Sequence, residues 1–210
     1  YPEEMNRKLT TQLADYFFAP TVGARKNLIL ENVTKQVEVT GNTGVDGLRF
    51  ASEMILKKGK GGLSPASDAA HKAGKKIVLI TCHRRENHGE PLLEICDAIL
   101  ELGKKYPDLY FVLPVHLNPN VKSVIESKLG SNPQVELLPP LDYQAFVPYL
   151  KNAHIILTDS GGVQEEAPYF KKPIFVMRES TERPEGVDAG VAKLVGSSKV
   201  KITTAVSRCM

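Results

Sequence analysis

The residues of this chain that invite chemistry fall in four polar clusters, each directly behind an apolar run. The most informative is Thr158-Asp159-Ser160-Gly161-Gly162-Val163-Gln164-Glu165-Glu166, which follows Ile155-Ile156-Leu157. A short apolar run of this kind suits a strand covered on both faces. Gly161 and Gly162 let the backbone turn sharply and come close to a ligand. Ser160 is a good helix N-cap, and the bare amides of a helix's first turn make a ready anion site, most often for phosphate. Glu165 and Glu166 then fall in the first turn of the helix. A carboxylate there can accept hydrogen bonds from the hydroxyls of a ribose whose phosphates occupy the turn. An ordinary strand-to-helix turn is the competing reading, and on these residues alone the two weigh equally.

The second cluster is His83-Arg84-Arg85-Glu86-Asn87, behind Lys76 to Cys82. Arginine forks match phosphate oxygens, and a histidine among cations can donate to one. The third, His116-Leu117-Asn118, lies between Pro114 and Pro119; taken alone, His116 reads better as a loop-packing residue. The fourth runs from Arg178 to Glu185. Its charges could belong to a solvated loop, yet facing a glycine turn at one sheet edge they are what a nucleotide-diphosphate pocket needs. His154, at the start of a strand, reads as structural. Ser160 serves better as a cap than as a nucleophile, no acid–histidine–serine order is compelling, and no metal-ligand spacing is present.

Strands alternate with helices at βαβ spacing around these clusters. The fold class expected is therefore α/β, a Rossmann-like parallel sheet with helices on both faces. Ligands of such sheets bind beyond the carboxyl ends of the strands, where all four clusters fall. The strands are expected around Asp15–Pro20, stopped by that proline, Val37–Thr40, Lys76–Cys82, Tyr110–Leu113, Val135–Leu138, Ile155–Leu157, Pro173–Met177 and Lys193–Val195. Helices are expected over Glu3–Leu13, Ala24–Leu30 behind a Thr21 cap, Val45–Lys57, from Pro91 to a Gly103 C-cap, Val121–Leu129, Asp142–Lys151 with Pro148 straining it, and from Val200. The stretch from Lys58 to Ser67 reads as a mobile loop.

The chain has 210 residues, 42% of them hydrophobic, with 27 basic and 24 acidic residues for a net charge of +3. This balance, spread along the chain, argues against a nucleic-acid partner. No apolar run approaches the ~20 residues of a membrane span, and no signal peptide is visible. The opening Tyr1-Pro2-Glu3-Glu4, without an initiator methionine, reads as a piece of a longer protein. The three cysteines lack zinc or C-x-x-C spacing. Cys82 and Cys96 fall in apolar segments, as suits reduced thiols in the cytoplasm.

Together these motifs resemble the non-hydrolysing UDP-N-acetylglucosamine 2-epimerases. The resemblance is carried by Thr81-Cys82-His83-Arg84-Arg85-Glu86-Asn87, Pro114-Val115-His116-Leu117-Asn118-Pro119-Asn120, Thr158 to Pro168, and Met177-Arg178 through Glu182-Arg183-Pro184-Glu185. Pro2-Glu3-Glu4-x-Asn6-Arg7 and Gly41-Asn42-Thr43 extend it to nearly the whole chain. Gly44, where a larger apolar residue is usual, and Cys82, where Gly or Ala is common, depart from the pattern. The resemblance implies a glycosyltransferase-B type architecture of two Rossmann-like domains. Residues 1–40 would end the N-terminal domain and its linker, and 41–210 would form the C-terminal, UDP-binding domain without its final helices. It implies interconversion of UDP-N-acetylglucosamine and UDP-N-acetylmannosamine by elimination and re-addition of UDP, without a cofactor, in a cytoplasmic homodimer. By carry-over, Ser160, Gly161 and Gly162 would hold phosphate and Glu166 the ribose. His83 and Arg183 would face the diphosphate, with His83 in the catalytic set beside Glu3 as an acid/base carboxylate. His116 and Glu86 would contact a second, activating nucleotide sugar. A glycosyltransferase of the same architecture, or a UDP-binding fragment without turnover, are the rival expectations.

Overall fold

A computed structural model describes residues 2–58 and 62–210. The chain divides into two compact units, Tyr1–Gly47 and Leu48–Met210. In the first, helix α1 (Pro2–Leu13) precedes strand β1 (Tyr16–Ala19), helix α2 (Val22–Leu30) and strand β2 (Gln36–Val39). The strands pair in parallel, Tyr16 opposite Gln36. Thr21 caps α2, its hydroxyl accepting from the Ala24 amide at 3.0 Å. The division falls inside helix α3 (Thr43–Lys58); the boundary expected near residue 40 lies just ahead of it.

The second unit continues with α4 (Pro65–Lys72), β3 (Lys76–Thr81), α5 (Glu90–Lys105), β4 (Leu109–Pro114), α6 (Pro119–Leu129), β5 (Val135–Leu138) and α7 (Tyr143–Asn152). Next come β6 (Ile155–Thr158), α8 (Gly161–Glu166), β7 (Ile174–Val176), α9 (Pro184–Asp188), β8 (Ala192–Leu194) and α10 (Lys199–Ser207). The six strands form one parallel sheet in the order β5-β4-β3-β6-β7-β8. The chain starts in the middle, winds to one edge, then returns and winds to the other. The direction of winding reverses between β3 and β6, and such a reversal opens a crevice at the carboxyl end of the two strands.

The apolar runs explain why the sheet is buried on both faces. Along β3, Val78 and Ile80 face a core shared with α5, α6 and α10, while Ile77 and Leu79 face one shared with α3, α4 and α7. This is the two-residue period of a strand, with both phases apolar. Phe111 and Leu157 belong to the first core, Val112 and Ile156 to the second.

Two expectations change. The stretch 58–67 is not simply a loop: residues 59–61 lie outside the described residues, but α4 starts at Pro65. Ser64 caps it, accepting from the Ser67 amide at 3.0 Å, and Asp68 and Lys72 sit at the ends the helix dipole favours. The Ser64 and Ser67 hydroxyls both donate to Glu136 on β5, and the Ser64 amide donates to the Tyr149 hydroxyl at 2.8 Å. Gly103 does not end α5, which runs on to Lys105. A Cβ at Gly103 would stand 3.0 Å from Gln134 Oε1 and 3.6 Å from the Phe111 ring, so the glycine serves close packing. α7 does run through Pro148 to Asn152, whose side-chain amide donates to the Pro148 carbonyl at 2.8 Å.

Phe111 is fully buried between the helices of the first core. Phe111→Ala is expected to lower unfolding free energy by about 3–5 kcal/mol, the range for emptying an aromatic core position. Urea denaturation checks this, and a loss below ~1 kcal/mol would contradict the packing described.

Candidate anion site at the sheet's switch point

The segments that follow β3 and β6 meet at the reversal point. Thr81 and Thr158 are opposite each other in register, and their hydroxyls lie 2.6 Å apart. The Thr158 hydroxyl also accepts from the Ser160 amide at 3.0 Å. Between these two residues Asp159 is wholly buried. Its Oδ2 accepts from the backbone amides of His83 and Arg84 and from Asn87 Nδ2, each at 2.9 Å. Its Oδ1 lies 3.0 Å from His83 Nδ1. Asn87 Nδ2 also reaches the Met177 carbonyl at 3.2 Å, so the end of β7 joins the same knot. Burial alone pushes the Asp159 carboxyl up, but the contacts from His83, Arg84 and Asn87 outweigh it and hold the group below its ordinary 3.8.

Behind this knot the chain turns into α8. Ser160 caps it, with Oγ 3.5 Å from the Val163 amide. Gly161 is buried, and a Cβ there would stand 3.8 Å from Arg183 Nη2 and 3.9 Å from Arg84 Nη2. Two guanidinium groups thus converge over the first residue of the helix, whose first-turn amides lack intrahelical partners. Arg84 Nε is buried there without a hydrogen bond. Gln164 fastens the Arg183 segment to this helix. Its amide donates to the Ser160 carbonyl at 3.2 Å and its oxygen accepts from the Thr181 hydroxyl at 2.6 Å, which in turn accepts from the Arg183 amide at 3.0 Å. Arg183 Nε is also ion-paired with Glu165.

Glu166 lies one turn further along α8, where Tyr143 donates to its Oε1 at 3.1 Å. Burial raises the Glu166 carboxyl above its ordinary value and the Glu165 charge adds to this, against the lowering effect of Tyr143. The Tyr143 phenol is pushed up to about 12 by burial and then by the Glu166 charge. On the other side, Arg178 is buried between Glu86 and Glu182, at 2.7 Å from each. Arg178 holds the Glu182 carboxyl down to about 2.

The structure thus gathers His83, Ser160, Gly161, Gly162 and Arg183 at one sheet edge, with Glu166 on the same helix. His116 is exposed beyond β4, the neighbour of β3, and its Nδ1 accepts from the Asn118 amide at 3.1 Å. Glu86 serves first as an ion-pair partner of Arg178. Glu3 sits on α1, in the first unit. Sequence reasoning singled out neither Asp159 nor Gln164. An acidic residue ending an apolar strand was the available signal for Asp159, because such a residue is buried only when paired. Chemically, the two guanidinium groups and the helix start are built to hold a multiply charged anion.

The Asp159 geometry has a pH consequence. Its folded-state value lies below its unfolded one, so the stability it contributes is present above about pH 3.8 and is lost as pH falls through the folded value. The stability difference between wild type and Asp159→Asn is therefore expected to shrink on acidification below that point. Urea midpoints measured from pH 6 to ~3 check this, and a constant difference would contradict the assignment.

A family model described as UDP-N-acetylglucosamine 2-epimerase matches residues 1–210. The UDP-N-acetylglucosamine 2-epimerase of Neisseria meningitidis serogroup A is 47% identical over 207 residues, which are 96% of this chain and 55% of that protein. The Escherichia coli K12 protein of the same name is 43% identical over 212 residues, 100% of this chain and 56% of its own length. The chain spans about half the length of the curated relatives it matches. Among solved structures, an S. aureus MnaA–UDP complex superposes with a TM-score of 0.89 at 43% identity, covering 99% of this chain and 55% of that one. The N. meningitidis epimerase bound to UDP-GlcNAc superposes with a TM-score of 0.86 at 44% identity, covering 99% and 56%. With a Rossmann-like parallel sheet, four motifs in order and a family match along its whole length, this chain belongs to the UDP-N-acetylglucosamine 2-epimerase family.

Proposed function

We propose that the protein to which this chain belongs interconverts UDP-N-acetylglucosamine and UDP-N-acetylmannosamine by eliminating UDP and adding it back on inversion of C2. The observation that carries this is the convergence of Arg84 and Arg183 over the start of α8, beside His83. The C2 proton of the sugar is not acidic enough to leave unaided. Loss of UDP from C1 with that proton gives a glycal, and the enzyme must stabilise UDP as a leaving anion. Fixed cations and helix amides do this without reorganising during the reaction. In this reading the phosphates rest on Ser160, Gly161 and Gly162 with His83 and Arg183 facing them, and Glu166 accepts from the ribose hydroxyls. A ribose hydroxyl would add a donor to a carboxylate that burial disfavours and that Tyr143 alone now meets among the hydrogen bonds described. Glu3 and His83 supply proton transfer, and His116 and Glu86 line a second nucleotide-sugar site. The UDP and UDP-GlcNAc in the solved relatives support the ligand class. We further propose a homodimer, and a cytoplasmic location with which the buried free thiols of Cys82 and Cys96 are consistent; among the described residues no helix is long and apolar enough to cross a membrane.

A glycosyltransferase would pass the sugar to an acceptor, so the full-length protein given UDP-N-acetylglucosamine alone in deuterated water separates the readings. Deuterium at C2 is the expected result, and its absence would refute the epimerase. Gly161→Val fills the space between the two guanidinium groups and is expected to weaken UDP binding by more than ~1.4 kcal/mol, about tenfold, by calorimetry. Glu166→Gln should weaken it by roughly 1.5–3 kcal/mol. A 2′,3′-dideoxy nucleotide should then lose nothing more in that variant; additive losses would show that Glu166 and the ribose do not meet. The 210-residue chain alone is expected to bind UDP weakly and not to exchange the C2 proton, because the groups that act on the sugar must be held in register with the anion site.

A further inference from the structure

We infer that Asp159 is a positioning residue that fixes the tautomer of His83, with the proton on Nδ1, so that Nε2 alone is presented to the site. The two oxygens of this buried carboxylate have different duties. Oδ2 already accepts three N–H donors, two of them the backbone amides of His83 and Arg84. Oδ1 is buried and has no hydrogen bond beyond its 3.0 Å contact with His83 Nδ1. At this distance a rotation of the ring that brings its N–H into line completes the bond. A buried carboxylate oxygen left without a donor costs more than a hydrogen bond returns, so the neutral ring carries its proton on Nδ1. The same aspartate thus meets His83 both at its main-chain amide and at Nδ1, and a flip of the ring would take Nδ1 away from Oδ1.

The other edge of the ring is open: the side chain is 42% exposed while Asp159 is wholly buried. Nε2 is thus the nitrogen left to meet a ligand, next to the residue whose guanidinium stands over Gly161. Cys82 is the other titratable group against Asp159, and burial together with the Asp159 charge pushes its thiol well up, so it stays protonated. In the epimerase reading, on which this consequence rests, the arrangement leaves Nε2 of the neutral ring free to accept a proton.

The tautomer can be read without turnover, which separates this inference from the proposed activity. Long-range ¹H–¹⁵N spectra of the labelled 210-residue chain, titrated until the ring is neutral, assign the proton of each of the five histidines. His83→Gln identifies the signal of interest. The expected result is the Nδ1–H tautomer in wild type and the Nε2–H tautomer in Asp159→Asn, whose carbonyl would keep the three donors and turn its NH₂ toward Nδ1. An Nε2–H ring in wild type, or one tautomer in both folded proteins, would overturn the inference. Should Asp159→Asn fail to fold, the wild-type spectrum decides alone. In the full-length protein, Asp159→Asn should slow C2 exchange by roughly tenfold or more, as a wrong tautomer does in a histidine–aspartate pair, without a matching loss of UDP affinity. A merely structural role would lower both together.

Discussion

The carboxyl edge of this sheet depends on one buried charge. A carboxylate without water is costly unless its oxygens are met by donors; the segment behind β3 gives Asp159 Oδ2 three of them and sets His83 Nδ1 3.0 Å from Oδ1. Hydrogen bonds to a charged group contribute about 1.5–3 kcal/mol each, whereas an exposed pair such as Lys72–Asp68 contributes ~0–1 kcal/mol. The knot around Asp159 therefore decides the shape of the segments behind β3 and β6, and the surface ion pairs do not. Two of its donors are main-chain amides, so it fixes the path of the loop itself and with it the direction from which Arg84 arrives.

Two of the arginines of the site are paired with carboxylates. Arg183 pairs with Glu165, and Arg178 is clamped between Glu86 and Glu182. Arg84 differs, since its Nε is buried without a hydrogen bond. A cluster of this kind is preorganised: three arginines stand at one sheet edge, with acidic partners absorbing their mutual repulsion. An arriving anion has only to exchange with or insert among groups already in place.

Much of this was legible in the sequence. The apolar runs within Lys76–Thr81 and Ile155–Thr158 are strands because a doubly covered parallel strand leaves an unbroken hydrophobic signature. Thr21, Asp142 and Ser160 cap helices as their chemistry suggests. What was not legible came from contacts distant along the chain. Gly103 looked like a helix terminator because a glycine's packing duty against Gln134 and Phe111 leaves no local trace. α4 was hidden by the glycines and lysines ahead of it, although Ser64-Pro65 is itself a start signal. The role of Asp159 rests on partners more than 70 residues away, and the pairing of Glu86 with Arg178 spans 92. Periodicity carries no information about either.

The edges of the sheet carry a further consequence. An open parallel sheet offers two margins along which a foreign strand could dock. β8 is three residues long with Lys193 at its centre. β5 is four residues long, preceded by Pro133, followed by Pro139 and Pro140, and anchored through Glu136 to the start of α4. Short length, lysine and flanking prolines each interrupt intermolecular strand addition. The serines that begin α4 thus help hold this margin to its own sheet.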